Sequence, residues 1–222
     1  MSHQIAMDGP AGAGKSTIAK LVAKKLGFVY VDTGAMYRAL ALFTLRSGID
    51  VNDEEKVSDL CETAKVSISY VDGEQVVLLN DENVNGFIRT PEVGNIASAI
   101  SVYGKVRAKL VRLQQELGEK ENVVMDGRDI GSVVLPNAEV KIYLDADVKV
   151  RAKRRYDELI GKGMEADLSV IEKEMIERDY RDMHRDNSPL VRVPEATYID
   201  SSYMSIDDVR DTIIDVCGKA FS

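Results

Sequence analysis

Apolar residues in this chain occur in short runs, and most runs are followed by a longer stretch in which apolar residues recur every three or four positions. The short runs predict buried strands, and the longer stretches predict helices. Because these strands alternate with helices, we expect an α/β fold whose central parallel sheet is flanked by helices on both faces. The predicted strands are 5–7, 28–31, 122–125, 140–144 and 196–199, and the predicted helices begin at Lys15, after a cap at Thr33, at Asn52 (to Lys65), at Pro91 with a break at Gly104, and at Ile206.

A different pattern interrupts the helices between residues 66 and 90. Val66, Ile68 and Tyr70 alternate with serines, and Asp72-Gly73 is a strong hairpin-turn signal. A further β-rich run at 75–79 ends in a polar turn at 80–83. This stretch predicts a small antiparallel β insert.

Composition narrows the class of protein. The 222 residues, 45% of them hydrophobic, fit one large domain or a core with an inserted lobe. The net charge of −8 argues against a nucleic-acid binder, and no apolar stretch is long enough to span a membrane. Cys61 and Cys217 lack metal-site spacing, so we expect reduced thiols and a cytoplasmic protein. No apolar surface stripe is left over, which predicts a monomer.

The first candidate for chemistry is a glycine-rich loop between the first strand and the first helix. Its spacing, Gly9-x-x-x-x-Gly14-Lys15-Ser16, matches the P-loop pattern of NTPases. Glycines let backbone N–H groups surround a phosphate, and the helix N-terminus adds positive potential. Lys15 would neutralise the outer phosphates, and the Ser16 hydroxyl would ligate Mg²⁺. The alternative is a glycine-rich turn without a ligand. We expect ATP to be bound by Gly9, Pro10, Ala11, Gly12, Ala13, Gly14, Lys15, Ser16 and Thr17.

A P-loop also needs a carboxylate near the metal ion, at the end of a neighbouring strand. Asp126 and Asp32 each follow a predicted strand. Either one also fits an ordinary turn-capping aspartate. Beside a P-loop, Asp126 is the favoured residue to hold Mg²⁺, through a water molecule.

Arginines indicate where the phosphate goes. Transfer to a hydroxyl needs a general base, whereas transfer to another phosphate needs chiefly cations, and neither His3 nor His184 is a convincing base. Arg38 and Arg128 lie in loops after strand ends, where ligands bind in open parallel sheets. The spacing of Arg178, Asp182 and Arg185 places them on one face of a predicted helix. Their side chains would either converge on a binding site or form an exposed, salt-bridged helix face.

Five segments together resemble the bacterial cytidylate kinase family of nucleoside monophosphate kinases, nearly end to end. They are 5–16, which is generic, and 31–38, 88–93, 125–131 and 177–185, which together are specific. The resemblance implies a P-loop core domain (1–32, 105–150 and 186–222), a monophosphate-binding domain (33–104) carrying the β insert at about 66–90, and a short helical lid (151–185).

The resemblance also implies roles for individual residues. Arg151 and Arg155 of the lid would close over the ATP phosphates, and Arg154 is an alternative to one of them. Ser98, Arg107 and Asp129 would face the cytosine base. The monophosphate would be held by Arg38 and Arg128, and Thr33 stands where many relatives carry serine. The ribose and the phosphates in transfer would be contacted by Arg178, Asp182 and Arg185. The catalytic set is thus Lys15, Arg128, Arg155, Arg178 and Arg185.

The expected reaction is ATP-dependent phosphorylation of CMP and dCMP to CDP and dCDP, with Mg²⁺ assisting. The alternatives are another small P-loop kinase, acting on UMP or on a metabolite hydroxyl, and a P-loop switch that signals to a partner protein. The Arg128-Asp129 pair and the β insert speak against the first, and an arginine-lined acceptor site would have no purpose in the second.

Overall fold

The computed structural model describes residues 2–221 and divides into two compact units. The first unit contains the residues up to Tyr30 and those from Lys120 onward, and the second contains Val31–Glu119. In chain order the elements are β1 (Gln4–Asp8), α1 (Lys15–Leu26), β2 (Val29–Asp32), α2 (Thr33–Ser47), α3 (Glu54–Thr63), β3 (Val66–Val71), β4 (Glu74–Leu79), β5 (Glu82–Asn83), α4 (Pro91–Ile100), α5 (Gly104–Lys120), β6 (Val123–Asp126), β7 (Val140–Asp145), α6 (Val148–Gly161), α7 (Leu168–His184), β8 (Thr197–Asp200) and α8 (Ile206–Ala220).

The first unit is built on a five-stranded sheet with the order β2-β6-β1-β7-β8. β1 pairs in parallel with β6 on one side and with β7 on the other, so that Ile5 lies opposite Val124 and Val140. β8 continues the parallel pairing beyond β7. The predicted parallel sheet is therefore confirmed. Because the carboxyl ends of β1 and β6 meet at one edge, Asp8 and Asp126 lie next to the glycine loop.

The core of the first unit forms where α1 and α8 pack against the sheet. Ile18 and Val22 of α1 and Ile213 of α8 are buried together with the apolar residues of β1, β6 and β7. α1 ends at Gly27, whose φ of 69° lets its N–H bond the Ala23 carbonyl. β6 is buried along its whole length, which explains why its sequence is apolar up to Asp126.

The second unit has its own core, formed by α2, α4, α5 and the antiparallel sheet β3-β4-β5. Asp72 and Gly73, with φ of 52° and 78°, make the predicted turn between β3 and β4. The β insert is confirmed. Its polar segment 80–83 is partly a turn and partly the short strand β5.

Three local expectations need correction. The N-cap of α2 is Asp32, which accepts a bond from the Ala35 N–H, and Thr33 is the first helical residue. The third helix is shorter than Asn52–Lys65, because Asp53 caps it and Ala64 ends it. The turn of π-helix over Ile130–Val134, directly after β6, is an element that the sequence pattern did not predict. Within residues 2–221, no helix combines the length and the apolar character needed to cross a membrane.

Candidate active site

Three glycines of the loop have a positive φ, which favours glycine over residues with a side chain. The φ is 146° at Gly9, 77° at Gly12 and 90° at Gly14. Space is a further constraint at Gly9, because a Cβ would overlap the carbonyl oxygen of Leu144 on β7. A backbone that turns this tightly before a helix N-terminus is what a phosphate-binding loop requires.

Lys15 lies inside this loop with its side chain buried. Its Nζ donates a 2.7 Å hydrogen bond to the carbonyl oxygen of Pro10. Burial, followed by the charge of the neighbouring Arg128, lowers the pKa of the Lys15 ammonium to about 7, against the opposing effect of Asp126 and Asp8. The loop therefore holds a cation that lacks a full counter-charge, which suits a polyanionic ligand.

Ser16 and Asp126, the two residues predicted to hold a metal ion, are hydrogen-bonded to each other. The Ser16 hydroxyl donates to Asp126 Oδ2 at 2.9 Å, and the Tyr30 hydroxyl donates to Asp126 Oδ1 at 2.8 Å. A hydroxyl and a carboxylate beside a phosphate-binding loop are hard oxygen donors, and this donor set fits Mg²⁺.

Arg128 and Asp182 make a largely buried ion pair. Arg128 Nε donates to Asp182 Oδ2 at 2.8 Å. Burial disfavours the charged carboxylate, but Arg128, and beyond it Arg178 and Arg185, hold the pKa of Asp182 below its usual value. Residues that are distant in sequence thus form one cationic cluster around the buried carboxylate of Asp182.

Asp129 and Arg185 adjoin this cluster. Arg185 Nη2 lies 3.7 Å from Asp129 Oδ1, and both side chains are less than one-tenth exposed. Arg185 stands just past α7 as its C-cap, whereas the spacing had placed it on the helix face. An exposed salt-bridged face is therefore the wrong alternative, since Asp182 and Arg185 are both shielded from solvent.

The three arginines considered for the lid differ in their surroundings. Arg151 is buried, pairs with Asp179 of α7 at 2.7 Å, and donates to the carbonyl oxygens of Ala146 and Ala11, the latter in the glycine loop. Arg154 donates to the Ser201 carbonyl oxygen at 2.7 Å. Arg155 is partly exposed and pairs with Glu158 on the same helix. Because this ion pair lies within one helix, Arg155 can exchange Glu158 for a ligand without releasing the glycine loop.

In the second unit, Asp32 organises the start of α2. Its carboxylate accepts from Arg38 at 3.0 Å and from Arg89 at 2.7 Å while it caps the helix. Burial opposes ionisation, but Arg38 and Arg89 lower the pKa of Asp32. Asp32, the alternative metal ligand, thus serves as a cap and arginine partner here. Thr33, the first residue of α2, is buried.

Ser98 and Arg107, also in the second unit, both form hydrogen bonds with Ser101. Arg107 Nη1 donates to the Ser101 carbonyl oxygen at 3.1 Å, and the Ser101 hydroxyl donates to the Ser98 carbonyl oxygen at 2.9 Å. The Arg107 guanidinium also stands 5.8 Å from the ring centre of Tyr37. Arg107 is buried and held in a defined position.

Comparison with known proteins gives a consistent result. The family model described as cytidylate kinase matches residues 5–219. The cytidylate kinase of Ligilactobacillus salivarius is 50% identical over 213 residues, which are 96% of this chain and 95% of that protein. The chain belongs to the cytidylate kinase family. The cytidylate kinase of Leuconostoc mesenteroides is 47% identical over 97% of this chain and 96% of its own length.

Membership in the cytidylate kinase family makes this protein a phosphotransferase. A solved structure of an uncharacterized protein from Eubacterium ventriosum resembles the fold with a TM-score of 0.53 at 14% identity, covering 97% of this chain and 98% of that one. At that identity the likeness concerns the fold alone.

Several residues of this kinase have site contacts that the sequence pattern did not indicate. Tyr30 holds the Asp126 carboxylate, Arg89 holds that of Asp32, and Gln75 of the β insert bonds the backbone N–H of Asp32 at 2.7 Å. Asp8 accepts two backbone N–H bonds from the loop after β6. The sequence signal for Arg89 is its place in the motif 88–93. For Asp8 the sequence gives no signal beyond its position directly before Gly9 of the P-loop.

Proposed function

We propose that this protein transfers the γ-phosphoryl group of ATP to the phosphate of CMP or dCMP, giving ADP and CDP or dCDP. The observation that carries the proposal lies within the first unit. There a P-loop lysine, an oxygen pair suited to Mg²⁺, and the Arg128–Asp182 ion pair are coupled electrostatically. The names of the relatives and the family model support cytidylate as the acceptor.

On the donor side, the backbone N–H groups of residues 9–17 would surround the ATP phosphates, with Lys15 turning from Pro10 to the outer phosphates. Ser16 directly and Asp126 through a water molecule would hold Mg²⁺, which would neutralise the negative charge of the phosphates. Arg155 would leave Glu158 to reach the phosphates, and Arg151 would support the loop through Ala11.

On the acceptor side, the cationic cluster would receive the monophosphate. Arg128 and Arg38 would hold its phosphate, and Thr33 would contribute its hydroxyl. The ribose and the phosphates in transfer would be met by Arg178, Asp182 and Arg185.

Base recognition would rest on Asp129, Ser98 and Arg107. Cytosine presents an amino donor where uracil presents a carbonyl acceptor. The Asp129 carboxylate accepts from the amino group and repels the carbonyl, while Ser98 and Arg107 donate to the ring nitrogen and the carbonyl of cytosine. A buried carboxylate left unpaired by the wrong base costs more than one lost contact.

The chemistry requires no general base. A phosphate monoester is already largely ionised at pH 7, so the acceptor oxygen needs no deprotonation. The residues instead hold two anions in line and stabilise the charge of the transferring group. We propose that the enzyme acts in the cytoplasm, as a monomer, on small nucleotides.

A coupled assay of ADP release tests the assignment. Purified enzyme receives ATP and Mg²⁺ with CMP, dCMP, UMP, AMP or no acceptor, and Lys15→Met provides the blank. We expect rapid release with CMP and dCMP and a value near the blank without acceptor. A preference for UMP, or for a metabolite hydroxyl, would favour the other small kinases. Equal slow release in every reaction would favour a nucleotide-hydrolysing switch.

A further inference from the structure

Asp8 is a buried carboxylate for which the proposed chemistry has no role. It is the last residue of β1, directly before the glycine loop, and is 6% exposed. Its Oδ1 accepts from the Ile130 N–H at 2.8 Å, and its Oδ2 accepts from the Gly131 N–H at 2.7 Å. One side chain therefore joins the start of the P-loop to the start of the loop that follows β6.

The two N–H groups belong to the first residues of the π-helical turn, next to Asp129. Ile130 and Gly131 open the π-helical turn, and Asp129 is its N-cap. The Asp129 carbonyl oxygen closes the turn by accepting from Val133 and Val134. Because Asp8 fixes the peptides directly after Asp129, it restricts the backbone from which the Asp129 and Arg128 side chains extend.

Keeping a carboxylate here costs stability. Burial, with a smaller effect of nearby Asp129, raises the pKa of Asp8 to about 6, although the two N–H bonds and Lys15 act in the opposite direction. An apolar residue would avoid this cost only by leaving two buried N–H groups without an acceptor. The two oxygens of the Asp8 carboxylate thus provide one acceptor for each of the two buried N–H groups.

We propose that Asp8 is a positioning residue that aligns Asp129 and Arg128 with the P-loop and so contributes to the choice of the nucleobase. This inference rests on the proposed function, in which Asp129 reads cytosine. Asp8 touches neither nucleotide in this scheme, and its effect on the choice of base passes through the Ile130 and Gly131 peptides.

Asp8→Asn is the direct test, because it keeps the size of the side chain. The amide oxygen accepts one N–H bond, whereas the amide NH₂ meets the other N–H without accepting from it. We expect the ratio of kcat/KM for CMP to that for UMP to fall about tenfold, since a charged acceptor is lost at a buried site. The KM for ATP should stay within about twofold.

Ile213→Val, a buried change on α8 outside the site, provides the matched control for lost stability. It should lower the melting temperature and leave the CMP-to-UMP ratio unchanged. If Asp8→Asn behaves in the same way, or damages the ATP and CMP constants equally, Asp8 has only a structural role and the proposal is wrong.

Gly131→Ala approaches the same contact from the other side and serves if Asp8→Asn does not fold. A Cβ there would lie in contact with Asp8 Oδ2, at 3.4 Å, and slightly close to Lys141 Cδ, at 3.3 Å, so it crowds the carboxylate while leaving both hydrogen bonds in place. A smaller loss of selectivity is expected, and an unchanged ratio contradicts the proposal. Failure of the proposed function is distinguishable, because wild-type enzyme would then not prefer CMP at all.

Discussion

Lys15 combines burial with a cationic neighbour, and the consequence can be measured on the single residue. Its pKa near 7 means that much of the lysine is neutral in the free enzyme at pH 7.5. The negative charge of ATP favours the ammonium form and raises this pKa, so ATP binding should take up protons. We expect an uptake of about 0.8 proton at pH 7.5.

Calorimetry of ATP binding in buffers with different ionisation enthalpies measures this uptake. Lys15→Met removes the titrating group, so the difference in proton uptake between the variant and wild type isolates the lysine. Binding should also weaken as the pH rises above 7, because protonating the neutral lysine then costs free energy. Identical proton uptake in both proteins would show that Lys15 is already fully charged before ATP binds.

Asp182 carries the second prediction at this scale. Asp182→Asn keeps an acceptor for Arg128 Nε but removes the charge that holds the cluster together. We expect the KM for CMP to rise about ten- to a hundredfold, while the KM for ATP changes by less than about twofold. The control is Asp211→Asn, an exposed partner of Arg210 far from the cluster in sequence. Equal increases in both KM values would instead indicate a folding role for α7.

Residues whose role follows from a local motif were the predictable ones. The P-loop spacing predicted Lys15 and Ser16, because this motif is defined by a few neighbouring positions. Asp126 was predicted because it follows a strand that neighbours the P-loop. Asp8 and Tyr30 gave no such signal. Their partners, Ile130 and Asp126, lie 122 and 96 positions away, so only the folded sheet brings them together.

At the scale of elements, α6 provides the third prediction. Its partly exposed Arg155 should leave Glu158, a partner on the same helix, when phosphates are present, whereas Arg151 is buried and paired with Asp179 of α7. A bisubstrate analogue should therefore slow hydrogen exchange over residues 151–163 more than ATP alone does. Mass spectrometry of exchanged peptides gives the measurement, with 206–220 as the reference segment. Unchanged exchange over 151–163 would indicate a rigid site without a lid.

Elements were predictable from the sequence where the pattern repeats. The five strands of the main sheet and the β3–β4 hairpin follow from apolar runs and from Asp72-Gly73. The π-helical turn over Ile130–Val134 did not follow, because five residues are too few to show a period. Its wide turn depends on the Asp129 carbonyl oxygen and on the Asp8 carboxylate.

For the whole molecule, the two separate cores suggest two cooperative parts. Leu40 lies fully buried in the core of the second unit, and Ile213 lies fully buried in that of the first. Leu40→Ala should cost about 2–5 kcal/mol and speed exchange of the α2 amides, while those of α8 stay protected. Ile213→Ala should give the opposite pattern. Uniform acceleration in either variant would mean that the chain unfolds as one unit.

The crowding at Gly9 has a consequence for how this sequence can vary over time. The carbonyl oxygen of Leu144 occupies the place of any side chain at position 9, whereas nothing lies within 4 Å of a Cβ at Gly94. Position 9 should therefore tolerate no residue other than glycine, whereas position 94 should tolerate many. A randomised library sorted for protease resistance should recover glycine alone at position 9 and many residues at position 94; recovery of alanine at position 9 would show that β7 yields. Gly9 is thus required by its packing against Leu144, and this requirement does not depend on which nucleotide the enzyme binds.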